Sequence, residues 1–272
     1  MTARLAGVLL AVVLGCGGAK QQQQGTRVAC LVPSVTEIVY ALGAGDRLAG
    51  TTTYCDYPEA ARHTYKVGDF ANPDFERIQA LRPALVFLTL PVHQLIAEKL
   101  REAGIAVYVS EPRGIEGILA EIESVGVRLG KADAGKTLAD SLRAELLSLP
   151  AYPDSPRVYV EISSSPLVTI GPGSFLDELI ERAGGRNIYS GSGQEYPLVD
   201  AEFVVKADPE VIILLHAGSG EDVRSRLGWQ GITAIKQGRV ITDLDENLVS
   251  RPGPRFVEAI RGLGARLHED KD

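Results

Sequence analysis

Four histidines, His63, His93, His216 and His268, and two cysteines in the body of the chain, Cys30 and Cys55, are the residues whose types suit metal binding or nucleophilic attack. Neutral imidazole is a common iron or cobalt ligand, which makes His93 and His216, each just past an apolar run, the metal candidates. Their spacing gives them no support, because no HExxH, CxxC or His-x-His occurs. Activated-serine hydrolysis is equally unprovided for, since there is no G-x-S-x-G turn. One turn suits an anion: Gly171-Pro172-Gly173-Ser174 opens a helix after a strand, the arrangement that cradles phosphates. Leu176 stands where the dinucleotide fingerprint needs its third glycine, and no Walker lysine follows. The residues predict no catalytic group and no metal site, and a nucleotide- or phosphate-dependent α/β enzyme using the Gly171 turn stays as the alternative outside binding.

Binding is better provided for than catalysis. In an open parallel sheet, ligands bind beyond the carboxyl ends of the strands. That rule selects Tyr54, Asp56 and Tyr57 after one predicted strand, His93 after another, and Asp245 and Arg251 in the stretch 243–251. Phe70 and Tyr196 lie in loops leading into two similar segments. An aromatic cleft with few charges suits a large, partly apolar ligand. Arg251 and Arg255, in Arg-Pro-Gly-Pro-Arg, are suited to hydrogen-bonding a ligand or the neighbouring chain. Trp229, at helical spacing from Ile232 and Ile235, is read as a packing residue.

Those two similar segments set the architecture. Glu76, Ile78, Pro83 and Leu85 recur as Glu202, Val204, Pro209 and Val211, each 126 positions on (202 − 76). One long period indicates a duplicated domain, whereas arrays show several short ones. Strand patterns at 28–32, 48–54, 85–88 and 105–109 alternate with helical patterns, which predicts parallel βα units. Ser34 and Glu37 read as a capping box for the first helix, and Ser174 as the cap of its counterpart. Between Ile115 and Leu147 only helical periodicity appears, broken near Gly130. The predicted organisation is an N-terminal lobe over 27–130, an interlobe helix over 131–150 and a C-terminal lobe over 151–272, an α/β protein with two Rossmann-like lobes.

Length and composition agree with two ordinary domains: 272 residues, 45% hydrophobic and 23% charged. A net charge of −7 with no basic run argues against nucleic acid. Residues 1–16 read as an export signal, with Arg4 before the apolar run Leu5–Leu14. That run is shorter than the roughly 20 residues a membrane span needs. Residues 17–26, with four consecutive glutamines, read as a polar tether. In an exported protein Cys30 and Cys55 invite a disulfide, but their predicted offset along parallel strands favours two separate buried thiols.

Several segments together resemble the substrate-binding proteins of bacterial ABC importers for vitamin B12, iron siderophores and haem. They are Pro33-Ser34-Val35-Thr36-Glu37, Tyr54-Cys55-Asp56-Tyr57-Pro58, Val67-Gly68 with Asn72-Pro73, Glu76-Arg77-Ile78 through Pro83, and Arg251 to Arg255. The resemblance covers the chain after the tether, and Tyr54 to Pro58 is most similar to the cobalamin-binding branch. It implies a cleft between lobes joined by a single long helix, lined for a corrinoid by aromatics at positions matching Tyr54, Phe70 and Tyr196, beside the strand-end candidates Asp245 and Arg251, and no reaction at the ligand. Phe70 and Tyr196 stand where cobalamin binders often have Trp, and Thr89 where another aromatic is common, so haem and iron siderophores stay open as ligands. It further implies that Glu76 and Glu202 dock a monomeric binding protein on an ABC permease with its ATPase. Val13-Leu14-Gly15-Cys16 resembles a lipobox, which implies lipidation of Cys16 and an exported, membrane-anchored protein on the outer side of the cytoplasmic membrane or in the periplasm.

Overall fold

The computed structural model describes residues 26–191, 193–216 and 220–269. Cys16, the export signal and the tether up to residue 25 lie outside the described residues. Strands β1 (Val28–Cys30), β2 (Leu48–Thr51), β3 (Leu85–Leu88) and β4 (Ala106–Val109) form one sheet in the order β2-β1-β3-β4, every pair parallel. Strands β5 (Arg157–Glu161), β8 (Arg186–Asn187), β9 (Val211–Leu214) and β10 (Val240–Ile241) form the second, in the order β10-β9-β5-β8, again all parallel. The short strands β6 (Ser163–Ser164) and β7 (Leu167–Val168) make an antiparallel pair beside it. Taking each sheet's strands in chain order, the two have the same topology, two α/β lobes of one design.

The repeat is visible in detail. β3 and β9 begin and end 126 positions apart (211 − 85, 214 − 88). The helices before them, Phe75–Ala80 and Ala201–Ala207, are capped by Asp74 and Asp200, whose carboxylates accept from Arg77 N–H and Phe203 N–H. Arg82 and Asp208, at φ 48° and 45°, are the non-glycine residues in the left-handed region among those described, and they too are equivalent positions. Such a conformation is costly outside glycine. Its recurrence marks a turn that both lobes require immediately before Pro83 and Pro209.

Side-chain alternation along the strands joins the lobes. Val28, Cys30 and Val32 from β1 and its end, and Val158 and Val160 from β5, point into one core that the helices Pro33–Ala41, Gly114–Arg128, Phe175–Arg182 and Phe256–Leu267 complete. The intervening Ala29 and Leu31 face a separate core under the helix Gln94–Glu102, and Tyr159 faces another around Trp229. Two sheets sharing one packed core resist hinge motion, because interiors at crystal-like density do not deform continuously.

The helix expected to connect the lobes is Ala132–Leu147, which packs along Gly114–Arg128 so that the crossing is a helical hairpin. Gly126 and Gly135 sit at the contact, where a Cβ on Gly126 would come within 3.0 Å of the Gly135 Cα. The first helix differs from expectation. It starts at Pro33 with no side-chain cap, so Ser34 and Glu37 form no capping box, and Glu37 faces inward. Ser174 does cap its helix, accepting from Asp177 N–H. The second strand stops at Thr51 instead of reaching Tyr54, because the chain turns there, with Cys55 N–H donating to Thr52 C=O. Cys30 and Cys55 are separate, buried, free thiols, and burial together with the neighbouring Cys55 pushes the Cys30 thiol well above its usual value.

Candidate functional site

The strand order of the first sheet reverses direction between β1 and β3, and a cavity of about 690 Å³ opens beyond the carboxyl ends there. Val32 to Ser34 after β1, Tyr54 after β2, Thr89 and Leu90 after β3, and Ser110 to Arg113 after β4 supply one wall. Glu195 and the segment from Glu246 to Pro252, all from the second lobe, supply the other. Tyr54 and Phe70 lean together at 6.2 Å between ring centroids, and Phe70 meets the edge of buried His93 at 5.0 Å. An aromatic floor with a charged rim, open between two lobes, is the geometry of a ligand cleft.

Tyr54, Phe70 and Arg251 are on this lining. Tyr196 is not: it is 56% exposed, and its neighbour Glu195 takes the lining position. Asp245 is also off the lining, because its carboxylate caps the helix Glu246–Ser250 by accepting from Asn247 N–H at 3.0 Å. Glu246 and Asn247 reach the cavity in its place. Glu76 and Glu202 are exposed in the first turns of their helices, outside the cleft.

Arg251 is less free than a ligand-binding arginine should be. Its guanidinium donates to Asp56 at 2.7 Å, to Tyr54 C=O at 3.1 Å and to Asn247 at 2.7 Å, and lies 3.6 Å from Glu37. Arg255 forms a two-pronged pair with Glu37 at 2.8 and 2.9 Å and stacks over the Tyr57 ring at 3.8 Å. Burial alone would raise the Asp56 carboxyl, but the Arg251 hydrogen bond and charge hold it below its usual range. Glu37, Asp56 and Tyr57 belong to the first lobe and both arginines to the segment that enters the last helix. They clasp the lobes behind the cleft. Gly253 makes the approach possible, since a Cβ there would lie 3.2 Å from the Ser34 Cβ.

Glu37 and Arg255 are the partners that sequence reasoning placed elsewhere or left undecided. The available signal was an acid at an inward position of an apolar helix, which needs a buried cation. Glu111 and Glu195, loop acids, and Glu246, at the start of a short helix, carried no signal at all until the lobes fold together.

The two candidate histidines, His93 and His216, are committed to the protein. His93 Nδ1 accepts from Thr89 N–H at 3.1 Å and Nε2 donates to Phe70 C=O at 2.7 Å. His216 Nε2 meets Glu161 at 2.8 Å, and Glu161 is wholly buried with Arg226 gripping both its oxygens at 2.6 and 2.7 Å. The glycine turn at 171–174 is also occupied: Gly173 N–H donates to Asp177 at 2.9 Å and Gly171 N–H to Glu195 C=O at 2.8 Å. With its own carboxylate seated there, the turn repels a phosphate.

Beneath the cleft, Glu121 is 5% exposed with one oxygen unpartnered, its carboxyl hydrogen-bonded to Ser110 on the lining. Burial pushes this carboxyl up to about 7, the Ser110 bond pulling the other way. Between its usual value of 4.5 and about 7 the folded state keeps a proton that the unfolded chain has lost. Stability therefore falls as pH rises through that window. Glu121→Gln should remove this slope and raise stability at pH 8 by about 2–3 kcal/mol while changing little at pH 4.5, as read by urea denaturation at both values.

Comparison with known proteins agrees with this geometry. A family model described as periplasmic binding protein matches residues 28–246. An ABC transporter substrate-binding lipoprotein of Bacillus subtilis, YvrC, is 29% identical over 260 residues, covering 92% of this chain and 82% of that protein. A vitamin B12-binding protein of Vibrio campbellii is 31% identical over 241 residues, covering 86% of each. The solved structure of the periplasmic haem-binding protein BhuT with two haems is 26% identical with a TM-score of 0.79, covering 89% of this chain and 97% of that one. The chain belongs to the periplasmic binding protein family, as a substrate-binding component of an ABC importer and not an enzyme.

Proposed function

We propose that the chain captures cobalamin between its lobes and delivers it to an ABC permease, docking through Glu76 and Glu202 and held at the membrane by a lipid on Cys16. The observation that carries the ligand assignment is the charge of the cleft. Glu111, Glu195 and Glu246 line it against Arg113 and Arg251, and Arg251 is already paired with Asp56. Haem brings two anionic propionates and ferric siderophores commonly carry negative charge, so both would bury anions against carboxylates. A corrinoid offers an apolar macrocycle for Tyr54 and Phe70 and a rim of neutral amides whose N–H groups those carboxylates accept. The B12-binding relative supports this ligand.

Haem is the second reading, supported by the likeness to the haem-bound BhuT structure. Titrating the protein without its first 16 residues with cyanocobalamin and with haemin, by calorimetry and absorbance, separates the two. Binding heat with cyanocobalamin is expected. Strong haemin uptake with no cobalamin heat would overturn the assignment.

A further inference from the structure

We propose that His93 is the positioning residue of the ligand cleft, holding Phe70 and Thr89 in its wall by two hydrogen bonds and a ring contact that only the neutral imidazole can make together. The proposal rests on reading this cavity as the ligand site.

His93 is 1% exposed and immediately precedes the helix Gln94–Glu102. Its two ring nitrogens act in opposite senses. Nε2 donates to the Phe70 carbonyl at 2.7 Å, and Nδ1 accepts from the Thr89 N–H at 3.1 Å. The ring also meets the Phe70 ring edge-on, at 5.0 Å and 68°. Phe70 and Thr89 both line the cavity, and Tyr54 packs on Phe70. Three contacts from the ligand wall thus converge on one buried ring. Phe70 needs such an anchor, because it sits in a loop outside the strands, its neighbours joined by the turn in which Asp69 accepts from Asn72 N–H at 2.7 Å.

Neutral imidazole provides one donor and one acceptor, whereas the protonated ring has two donors. Protonation would place an N–H at Nδ1 facing the Thr89 N–H, which removes one bond and opposes two donors across 3.1 Å. The charged groups on the packed elements are Asp69 on the Phe70 loop, engaged with Asn72, and the exposed Glu98, Lys99, Arg101 and Glu102 on the following helix. The Tyr54 phenol is reached only through Phe70. None of these forms an ion pair with the imidazole, and burial holds it below its usual value of 6.5, the Phe70 bond pulling the other way. The sign follows for a depressed histidine: the neutral arrangement is complete above about pH 6.5 and is lost as pH falls through the depressed value. Ligand affinity should therefore be level near neutrality and fall in acid.

The test compares wild type, His93→Phe and His93→Gln by cyanocobalamin titration from pH 4.5 to 8, with haemin as probe in the same buffers if cyanocobalamin gives no heat. His93→Phe keeps the packing and loses both hydrogen bonds, so about tenfold weaker binding at pH 7.5 is expected. The wild-type loss of affinity in acid should flatten in both variants, with His93→Gln intermediate at neutral pH because one amide can replace one bond. Two readouts need no ligand: ¹⁵N shifts of the His93 ring should report the Nε2–H tautomer, and Thr89 amide exchange should quicken in His93→Phe. Wild-type affinity and an unchanged acid profile in both folded variants would overturn the proposal, as would an Nδ1–H tautomer. Failure of cyanocobalamin with retained Thr89 protection and the stated tautomer would instead sink the cobalamin reading alone.

Discussion

Glu37→Ala is expected to destabilise the protein by about 3–5 kcal/mol, the cost of breaking a buried ion pair from one side. Glu37 is 3% exposed, Arg255 holds both its oxygens, and Arg251 approaches within 3.6 Å. Removing the carboxylate leaves the Arg255 guanidinium largely buried and without its counter-ion between the lobes. Guanidinium-chloride denaturation should show the loss as a lower midpoint with the slope unchanged. The double variant Glu37→Met, Arg255→Met is the control. If the penalty comes from an orphaned charge, the double change should recover most of it, because apolar replacements of a buried pair are often neutral. A single variant within about 0.5 kcal/mol of wild type, the range of ordinary surface changes, would show that the clasp contributes nothing to holding the lobes.

Glu76→Ala combined with Glu202→Ala should reduce transport to background while leaving ligand affinity within about twofold, since neither residue touches the cleft and surface changes rarely exceed 0.5 kcal/mol. Both glutamates are exposed beyond their helix caps and present one carboxylate per lobe in equivalent positions. Two like charges related by duplication suit the proposed docking on a permease, where charge pairs would set register and association rate. Uptake by proteoliposomes containing the cognate importer measures the first quantity, and calorimetry the second. Lost ligand affinity with docking retained would move the pair's role to the cleft. Each single variant is expected to fall between wild type and the double variant, because in the proposed docking each lobe supplies one of the two charged contacts.

The repeat was readable because it is local chemistry written twice. Asp74 and Asp200 cap, Glu76 and Glu202 follow, Arg82 and Asp208 turn, and Pro83 and Pro209 lead into β3 and β9. The aspartate caps and the left-handed turns at Arg82 and Asp208 are additions of the structure, whereas residue type and spacing reveal the paired glutamates and prolines. The strand-end rule placed Tyr54 and Arg251 at the cleft for the same reason, once the apolar runs had located the strands.

Glu37 shows where that reasoning stops. Ser34-Val35-Thr36-Glu37 satisfies a capping-box pattern, yet Pro33 already occupies the first turn and the carboxylate turns inward to an arginine 218 positions away (255 − 37). Asp245 shows the converse, a strand-end residue off the cleft lining whose carboxylate accepts from Asn247 N–H at the start of its own helix. By itself the sequence determined two α/β lobes, their duplication, the Ser174 cap and the strand ends beyond which the cleft opens, because these follow from short-range propensity and period. Only the tertiary structure decided which charges the lobes keep for each other and which they leave for a ligand. That division depends on distances between residues nearly two hundred positions apart or more, and pairing at such range is set by packing of the shared core, not by local pattern.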